Sequence, residues 1–272
     1  MEYFEAILLG ILQGISEFLP ISSSGHLVFA ESLFGLESDG ITFEVVVHFG
    51  TLFSILIFYR KILLNLVKGL FSQIGEVRTN SFRFSSLNAE TRLFGFLLLS
   101  MIPAMVVGLT LKDQIETIFE KPVIVSVLLI FTGTIIFITR FLPKGTGEIT
   151  IIRALAMGIA QALAVLPGIS RAGSTITAGL VFNTDRQEAA TFSFLMVIPV
   201  IAGAMLLEVL DLMQSNLSFE SGSILLTGFF AAFVSGYLSL GTLIQLLKKE
   251  KFYLFSVYCW AIGIFGLFWF SS

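Results

Sequence analysis

Charge is what this sequence has least of. Only 13% of its 272 residues are Asp, Glu, Lys or Arg, against about 25% in an ordinary soluble domain. Cysteine is nearly absent: Cys259 stands alone inside an apolar run, which excludes an internal disulfide and a metal–thiolate centre. Its surroundings make it an inert core or lipid-facing thiol. Prolines number six, so those inside apolar sequence stand out as breaks. The opening Met1-Glu2-Tyr3-Phe4-Glu5 lacks the basic region and small-residue cleavage site of a signal peptide. The first apolar segment is therefore expected to stay in the mature protein. A net charge of −3 argues for no charged partner, and nothing in its pattern points to nucleic acid.

What fills the space is apolar. Hydrophobic residues make up 56% of the chain and the mean hydropathy is +0.93, which excludes a water-soluble globular protein. Apolar runs long enough to cross a bilayer, about 17–25 residues each, recur at roughly 42–60, 91–111, 122–141, 188–210, 221–247 and 252–271. The fold class is all-α and polytopic, a single integral-membrane domain. The 29 Phe residues are spread through every span and are explained as lipid-facing filler.

Two more apolar regions, about 4–35 and 151–182, behave differently. Each holds two pieces too short to span, split by Leu19-Pro20-Ile21-Ser22-Ser23-Ser24-Gly25 in one and Leu166-Pro167-Gly168-Ile169-Ser170-Arg171-Ala172-Gly173 in the other. Short apolar helices broken at similar depth read as re-entrant hairpins. A shift of 148 residues lays 6–30 on 154–178 with eight identities in 25 positions, among them Gly10/Gly158, Gln13/Gln161, Ser22/Ser170 and Gly25/Gly173. Composition alone gives roughly 2. The chain thus reads as two repeats, about 1–142 and 150–272, each a hairpin followed by three spans.

Three crossings per repeat turn the second copy upside down. Charge placement agrees, because Lys and Arg concentrate in cytoplasmic loops. With the N-terminus outside, thirteen basic residues, including Arg60, Lys68, Arg78, Arg83, Arg92, Arg140, Arg153 and Lys248, lie inside, and only Lys112 and Lys121 lie outside. The sixteenth, Arg171, sits in the second hairpin break. The expected orientation is N-out and C-out, with the hairpin tips meeting near the midplane.

The chemistry-bearing residues cluster at those tips. An ionised side chain at the bilayer centre costs about 2.5–3.5 kcal/mol on insertion scales, yet Glu17 and Arg171 both flank the breaks. An ion pair tying the tips together is one reading; a site is the stronger one, because other groups converge. Gln13 and Glu17 are four apart on one helix face, where an amide and a carboxylate oxygen suit a hard divalent cation, Mg²⁺ first and Ca²⁺ as the alternative. Gln13 also suits a helix–helix hydrogen bond. Ser22-Ser23-Ser24-Gly25-His26 opens the next short helix, whose N-terminus favours a phosphate, while one serine is an ordinary cap. His26 is a candidate nucleophile, or the base for Ser23. In the second hairpin, Ser170, Gly173, Ser174 and Thr175 bring another helix N-terminus, and Arg171 a bidentate fork for phosphate oxygens. Preorganised charge of this kind is what phosphoryl transfer requires. Glu44 and His48, also four apart, are weaker candidates for a supporting pair at the entrance. Glu208 lies near a helix end and is expected to reach water.

Gln13-x-x-x-Glu17, Pro20-x-Ser22-Ser23-Ser24-Gly25-His26 and Pro167-Gly168-x-Ser170-Arg171-x-Gly173-Ser174-Thr175 together resemble the undecaprenyl-diphosphate phosphatase, or bacitracin-resistance, family over essentially the whole chain. Two departures stand out. Position 13 is Gln where the family pattern allows Glu or Gln, leaving one fewer negative charge for a metal, and Ala172 replaces a common Ser. The resemblance implies hydrolysis of a polyprenyl diphosphate to the monophosphate carrier and phosphate, with a divalent cation, at the outer face of the plasma membrane. It also implies carrier recycling for the cell wall, and bacitracin tolerance acting indirectly through the shared lipid. Glu17 with Gln13 would handle metal or water, Ser23 and His26 would supply nucleophile and base, and Arg171 with Ser170 would hold the diphosphate. Serine attack with His26 as base is the preferred order, with histidine attack left open. An inverted repeat with broken helices also fits a transporter or flippase of a lipid-linked phosphate, but a carrier needs no nucleophile. The sequence leaves open whether copies associate as a homo-oligomer.

Overall fold

The first hairpin follows from where the chain cannot stay helical. Helix α1 (Tyr3–Phe18) stops because Pro20 disfavours a helical residue before it, and Leu19 is extended at φ −67°, ψ 144°. Helix α2 (Ser23–Phe34) restarts beyond the turn. The second hairpin repeats the device: α8 (Ile151–Leu163) ends before Pro167-Gly168, Gly168 takes φ +94°, and α9 (Arg171–Val181) starts behind the Ser170 cap. None of the four exceeds 16 residues, too short for a bilayer core of about 30 Å.

The computed structural model describes residues 2–34, 41–77, 87–214 and 222–271, with the side chains of 31, 34, 41–42, 74–77 and 204–214 outside the description. Arg78 and Arg83, and the side chains of Thr42 and Glu208, therefore lie outside the described residues. Between the hairpins run α3 (Ile41–Phe58), α4 (Arg60–Val77), α5 (Ala89–Thr110), α6 (Lys112–Phe119) and α7 (Pro122–Ile138). After the second come α10 (Arg186–Gln214), α11 (Gly222–Lys248) and α12 (Phe255–Phe270). Among the described residues there is no β-strand, only an isolated bridge between Gly147 and Thr184.

This is an all-helical, multi-pass membrane architecture. Among the described residues, four stretches, Ala89–Thr110, Pro122–Phe141, Gly222–Lys248 and Phe252–Phe270, are long and apolar enough to cross a bilayer. A fifth arises if α3 and α4 count as one span bent by 74°. Of the six spans expected from hydropathy, the described residues thus show four, or five with the bent pair, by length and composition. The 42–60 run is α3, which turns sharply at Tyr59 into α4, a helix in place of the loop that the charges at Arg60, Lys61 and Lys68 suggest. The 188–210 run falls within α10, part of it beyond the described side chains. Helix α6 is likewise additional, eight residues between α5 and α7.

Packing relies on small residues. Helix α1 lies along α11, α8 along α5, α7 along α12, and α3 against both α10 and α11. Lipid supplies no hydrophobic drive between helices, so close backbone approach through glycine carries much of the association. A Cβ on Gly10 would sit 2.6 Å from the Gly228 carbonyl oxygen, and one on Gly158 would sit 2.4 Å from that of Ser100. Under the hairpins, Phe18, Phe192, Phe194, Met157, Ile176 and Leu240 form a buried core. Gly158→Ala should therefore lower the thermal midpoint of the detergent-solubilised protein, by an overpacking cost of about 1–3 kcal/mol. Gly95→Ala, where a Cβ meets nothing within 4 Å, should leave it unchanged or slightly raised. Equal midpoints for the two variants would mean that α8 and α5 do not approach this closely.

Candidate active site

The two hairpin tips touch. Ser22 takes φ +69°, a left-handed conformation uncommon for a residue with a Cβ. That turn brings its Oγ to accept from the Gly168 amide at 3.1 Å and from the Gly25 amide at 3.3 Å. A Cβ on Gly25 would meet Gly168 Cα at 3.1 Å, so both glycines are needed for the close approach. Thr132, on α7, holds the second tip from behind: its hydroxyl donates to the Gly168 carbonyl at 2.8 Å and accepts from the Ser170 amide at 3.0 Å.

Contact between the tips puts Glu17, in the last turn of α1, against Arg171, the first residue of α9. Arg171 Nη2 donates to Glu17 Oε1 in a buried ion pair. The carboxylate's other oxygen accepts from Ser23 Oγ at 2.7 Å and from Gln13 Nε2 at 3.1 Å. His48 Nε2 lies 3.9 Å from the same oxygen. Each charge sits at the wrong end of its helix, since a C-terminus repels an acid and an N-terminus a cation. Neither placement helps its own helix, and a bound anion would relieve Arg171.

Several groups remain unspent. Among the described residues, Arg171 Nη1, Ser174 Oγ and Gln13 Oε1 are buried without a hydrogen-bond partner. The amides of Ser23, Ser24, Arg171 and Ala172, at the starts of α2 and α9, likewise find no acceptor among the described residues. Ser23 and Ser24 are half-buried, so the cluster is partly accessible on that side. One guanidinium nitrogen, a hydroxyl and two helix N-termini facing each other make a receptor for phosphate oxygens.

Other expected site residues are committed elsewhere. Ser170 Oγ caps α9 by accepting from the Gly173 amide at 3.1 Å. Thr175 Oγ1 donates to the Arg171 carbonyl at 2.7 Å and accepts from Ser193 at 2.6 Å, turning it into the α10 interface. Ser24 lies 3.4 Å from Ser22 Oγ. His26 does not engage Ser23: its Nδ1 is 2.8 Å from the Ser22 carbonyl and its Nε2 2.8 Å from the Tyr258 hydroxyl. The group in contact with the Ser23 hydroxyl is thus the Glu17 carboxylate and not the expected His26.

Three residues went unplaced or undervalued in the sequence. Thr132 and Tyr258 lie in spans outside the motifs, and a hydroxyl in an apolar run was their only signal. His48 was paired with the Glu44 side chain by spacing; its Nδ1 instead meets the Glu44 carbonyl at 2.8 Å, freeing Nε2 to face Glu17. For a divalent cation, the unpartnered Gln13 Oε1 and the Glu17 carboxylate are suitable oxygens. No group of three or more His, Cys, Asp or Glu among the described residues could hold an ion. Substrate oxygens would have to complete the coordination.

Comparison with known proteins places this geometry. Residues 6–265 match the family described as "Bacitracin resistance protein BacA". The undecaprenyl-diphosphatase of Desulforapulum autotrophicum is 38% identical, with 98% of each chain covered. That of Bacteroides fragilis is 40% identical over 97% of each, and that of Methanobrevibacter smithii 36% over 97% of this chain and 96% of its own. With both hairpin breaks and the residues that meet there inside the matched region, the chain belongs to the bacitracin resistance protein BacA family.

Proposed function

We propose that this protein hydrolyses undecaprenyl diphosphate to undecaprenyl phosphate and inorganic phosphate, recycling the cell-wall carrier lipid and conferring bacitracin resistance. The observation that carries the reading is Ser23, whose hydroxyl donates to the Glu17 carboxylate beside a guanidinium with one nitrogen unspent. The pair sits in a chain 36–40% identical to enzymes named for this reaction.

Ser23 attacks the terminal phosphorus while its proton passes to Glu17 Oε2. The bond from that phosphorus to the bridging oxygen breaks, and undecaprenyl phosphate leaves. Water then attacks the phosphoserine, phosphate departs, and the proton on Glu17 returns to the serine oxygen. Arg171 holds Glu17 with Nη2 and a phosphate oxygen with Nη1, while the first amides of α2 and α9 receive the others. A divalent cation, Mg²⁺ or Ca²⁺, shared between Glu17, Gln13 Oε1 and the diphosphate would neutralise charge on the phosphates. His26, with both ring nitrogens engaged, supports the turn rather than taking the serine proton.

Six spans and two re-entrant hairpins in inverted repeats remain our reading of the topology, with the N- and C-termini outside and the pocket open to the outer face of the plasma membrane. Helix pairing supports it: exchanging the repeats maps α1 on α11 onto α8 on α5, and the equivalent glycines 10 and 158 make the close approaches. Hydrogen bonds follow suit, since Ser22 with Gly25 and Ser170 with Gly173 form the same cap.

Purified protein in detergent should release phosphate from the lipid diphosphate in Mg²⁺ and stop on chelation. Ser23→Ala should lower kcat by about 10³-fold or more. His26→Asn, whose amide nitrogen takes the Nδ1 position, should stay within about tenfold of the parent. An active Ser23→Ala with an inert His26→Asn would transfer the attack to histidine, and lipid translocation without phosphate release would remove the enzyme reading. For orientation, single cysteines replacing Lys112 and Lys144 should differ in intact cells. An impermeant maleimide should label the first and reach the second only after permeabilisation, with Cys259 buried and silent; the reverse pattern would invert the topology.

A further inference from the structure

Tyr258, on α12, lies outside both hairpins and all three motifs, yet its hydroxyl is 2.8 Å from His26 Nε2 and the two rings lie within 6° of parallel. We propose that Tyr258 is a positioning residue for the hydrolysis: it locks His26 into the tautomer that holds the Ser22 turn and so aims Ser23 at Glu17. This deepens the serine-attack reading and rests on it.

The argument runs through proton placement. A carbonyl oxygen only accepts, so Nδ1, 2.8 Å from the Ser22 carbonyl, must carry the hydrogen. A neutral imidazole has one N–H, leaving Nε2 as an acceptor and the phenol as its donor. An imidazolium would place a second buried cation in a site that already holds Arg171, and burying an unpaired charge is costly. Free histidine favours the other neutral form, with the hydrogen on Nε2. The Ser22 carbonyl at Nδ1 and the Tyr258 donor at Nε2 together reverse that preference.

Repeat two supplies the internal comparison. Ser170 is the counterpart of Ser22 and makes the same cap, but Ser174 stands where His26 does. There the serine backbone stays at φ −71°, whereas Ser22 is at +69°. The left-handed turn occurs in the copy whose serine carbonyl receives an imidazole N–H as well as the main-chain amide of His26 at 3.2 Å. That turn also directs Ser22 Oγ to Gly168, so the tyrosine reaches both the nucleophile and the contact between tips through one ring.

The chain has two histidines, which makes imidazole ¹⁵N spectra of the full-length protein readable, with His48→Gln assigning the signals. In the parent, His26 should be protonated at Nδ1 and bare at Nε2. In Tyr258→Phe, which keeps the ring, Nε2 loses its donor and only the Ser22 carbonyl still favours the Nδ1–H form. The Nε2 signal should therefore shift, and the Nε2–H form should appear beside it. In the same variant kcat should fall about tenfold while KM changes less than twofold because Arg171 is untouched. In a His26→Asn background, whose amide needs no phenol, Tyr258→Phe should cost nothing further. A parent His26 protonated at Nε2 overturns the proposal even if Tyr258→Phe fails to accumulate. So does a fall in kcat with unchanged nitrogen signals, or unchanged signals with full activity. The spectra are read without turnover, so this failure is separate from that of the serine mechanism, which Ser23→Ala decides.

Discussion

The ion pair between Glu17 and Arg171 is the interaction on which the rest of the molecule depends. Alone at bilayer depth, each charge costs about 2.5–3.5 kcal/mol, and each opposes its own helix dipole. Together they offset one another, but only if a helix C-terminus from one end of the sequence reaches a helix N-terminus 154 residues away. The Pro20 and Pro167-Gly168 breaks, the left-handed Ser22 and the Thr132 staple all serve that meeting. A sheet of lipid-facing helices would fold without any of it. The chain gives up local helix stability at these tips, which is where a functional site is expected to break local rules.

Scarcity of charge made the site legible. In a soluble protein, one Glu and one Arg beside a His would be unremarkable; here, the sequence alone brought Gln13, Glu17, Ser23 and Arg171 to one place, and the structure has them in contact. The hairpins were equally readable, because proline and glycine interrupt apolar runs too short to span. What could not be read was direction. Spacing put His26 beside Ser23 and His48 beside Glu44, but a side chain on a helix can turn to a carbonyl as readily as to its neighbour. Both imidazoles did so, one to Ser22 and the other to Glu44. Thr132 and Tyr258 escaped because contacts 36 and 232 residues long leave no periodic trace. The bend between α3 and α4 escaped for a different reason: hydropathy measures length, and Arg60 ends an apolar run whether the helix stops or turns.

Polar groups that the motifs nominated divide by whether their hydrogen bonds are already met. Ser170 and Thr175 are satisfied within the protein, so they shape the pocket. Arg171 Nη1, Ser174 Oγ and Gln13 Oε1 are buried and unmet, and a buried unpaired polar group costs about 1–3 kcal/mol. That cost is the physical meaning of a preorganised site: donors and acceptors are held away from water before the ligand arrives. The same logic separates Glu17 from an inert ion pair. A carboxylate with only Arg171 for company would be neutralised and finished. One that also receives a serine hydroxyl has somewhere to take a proton from.

Symmetry explains why the two halves do different work. Both repeats make the same serine cap and the same glycine approach, so the scaffold is duplicated. Chemistry is not. At the positions of Glu17, Ser23 and His26, the second copy carries Val165, Arg171 and Ser174. The contact between the tips sets those unlike residues face to face, so one copy brings the serine hydroxyl and the carboxylate, and the other the guanidinium. Identical tips meeting in this way would bury two carboxylates against each other, and like charges at that separation cannot both ionise in low dielectric. Divergence at the tips is thus what permits the two copies to meet at all, and the ion pair that follows is already half of a phosphate site.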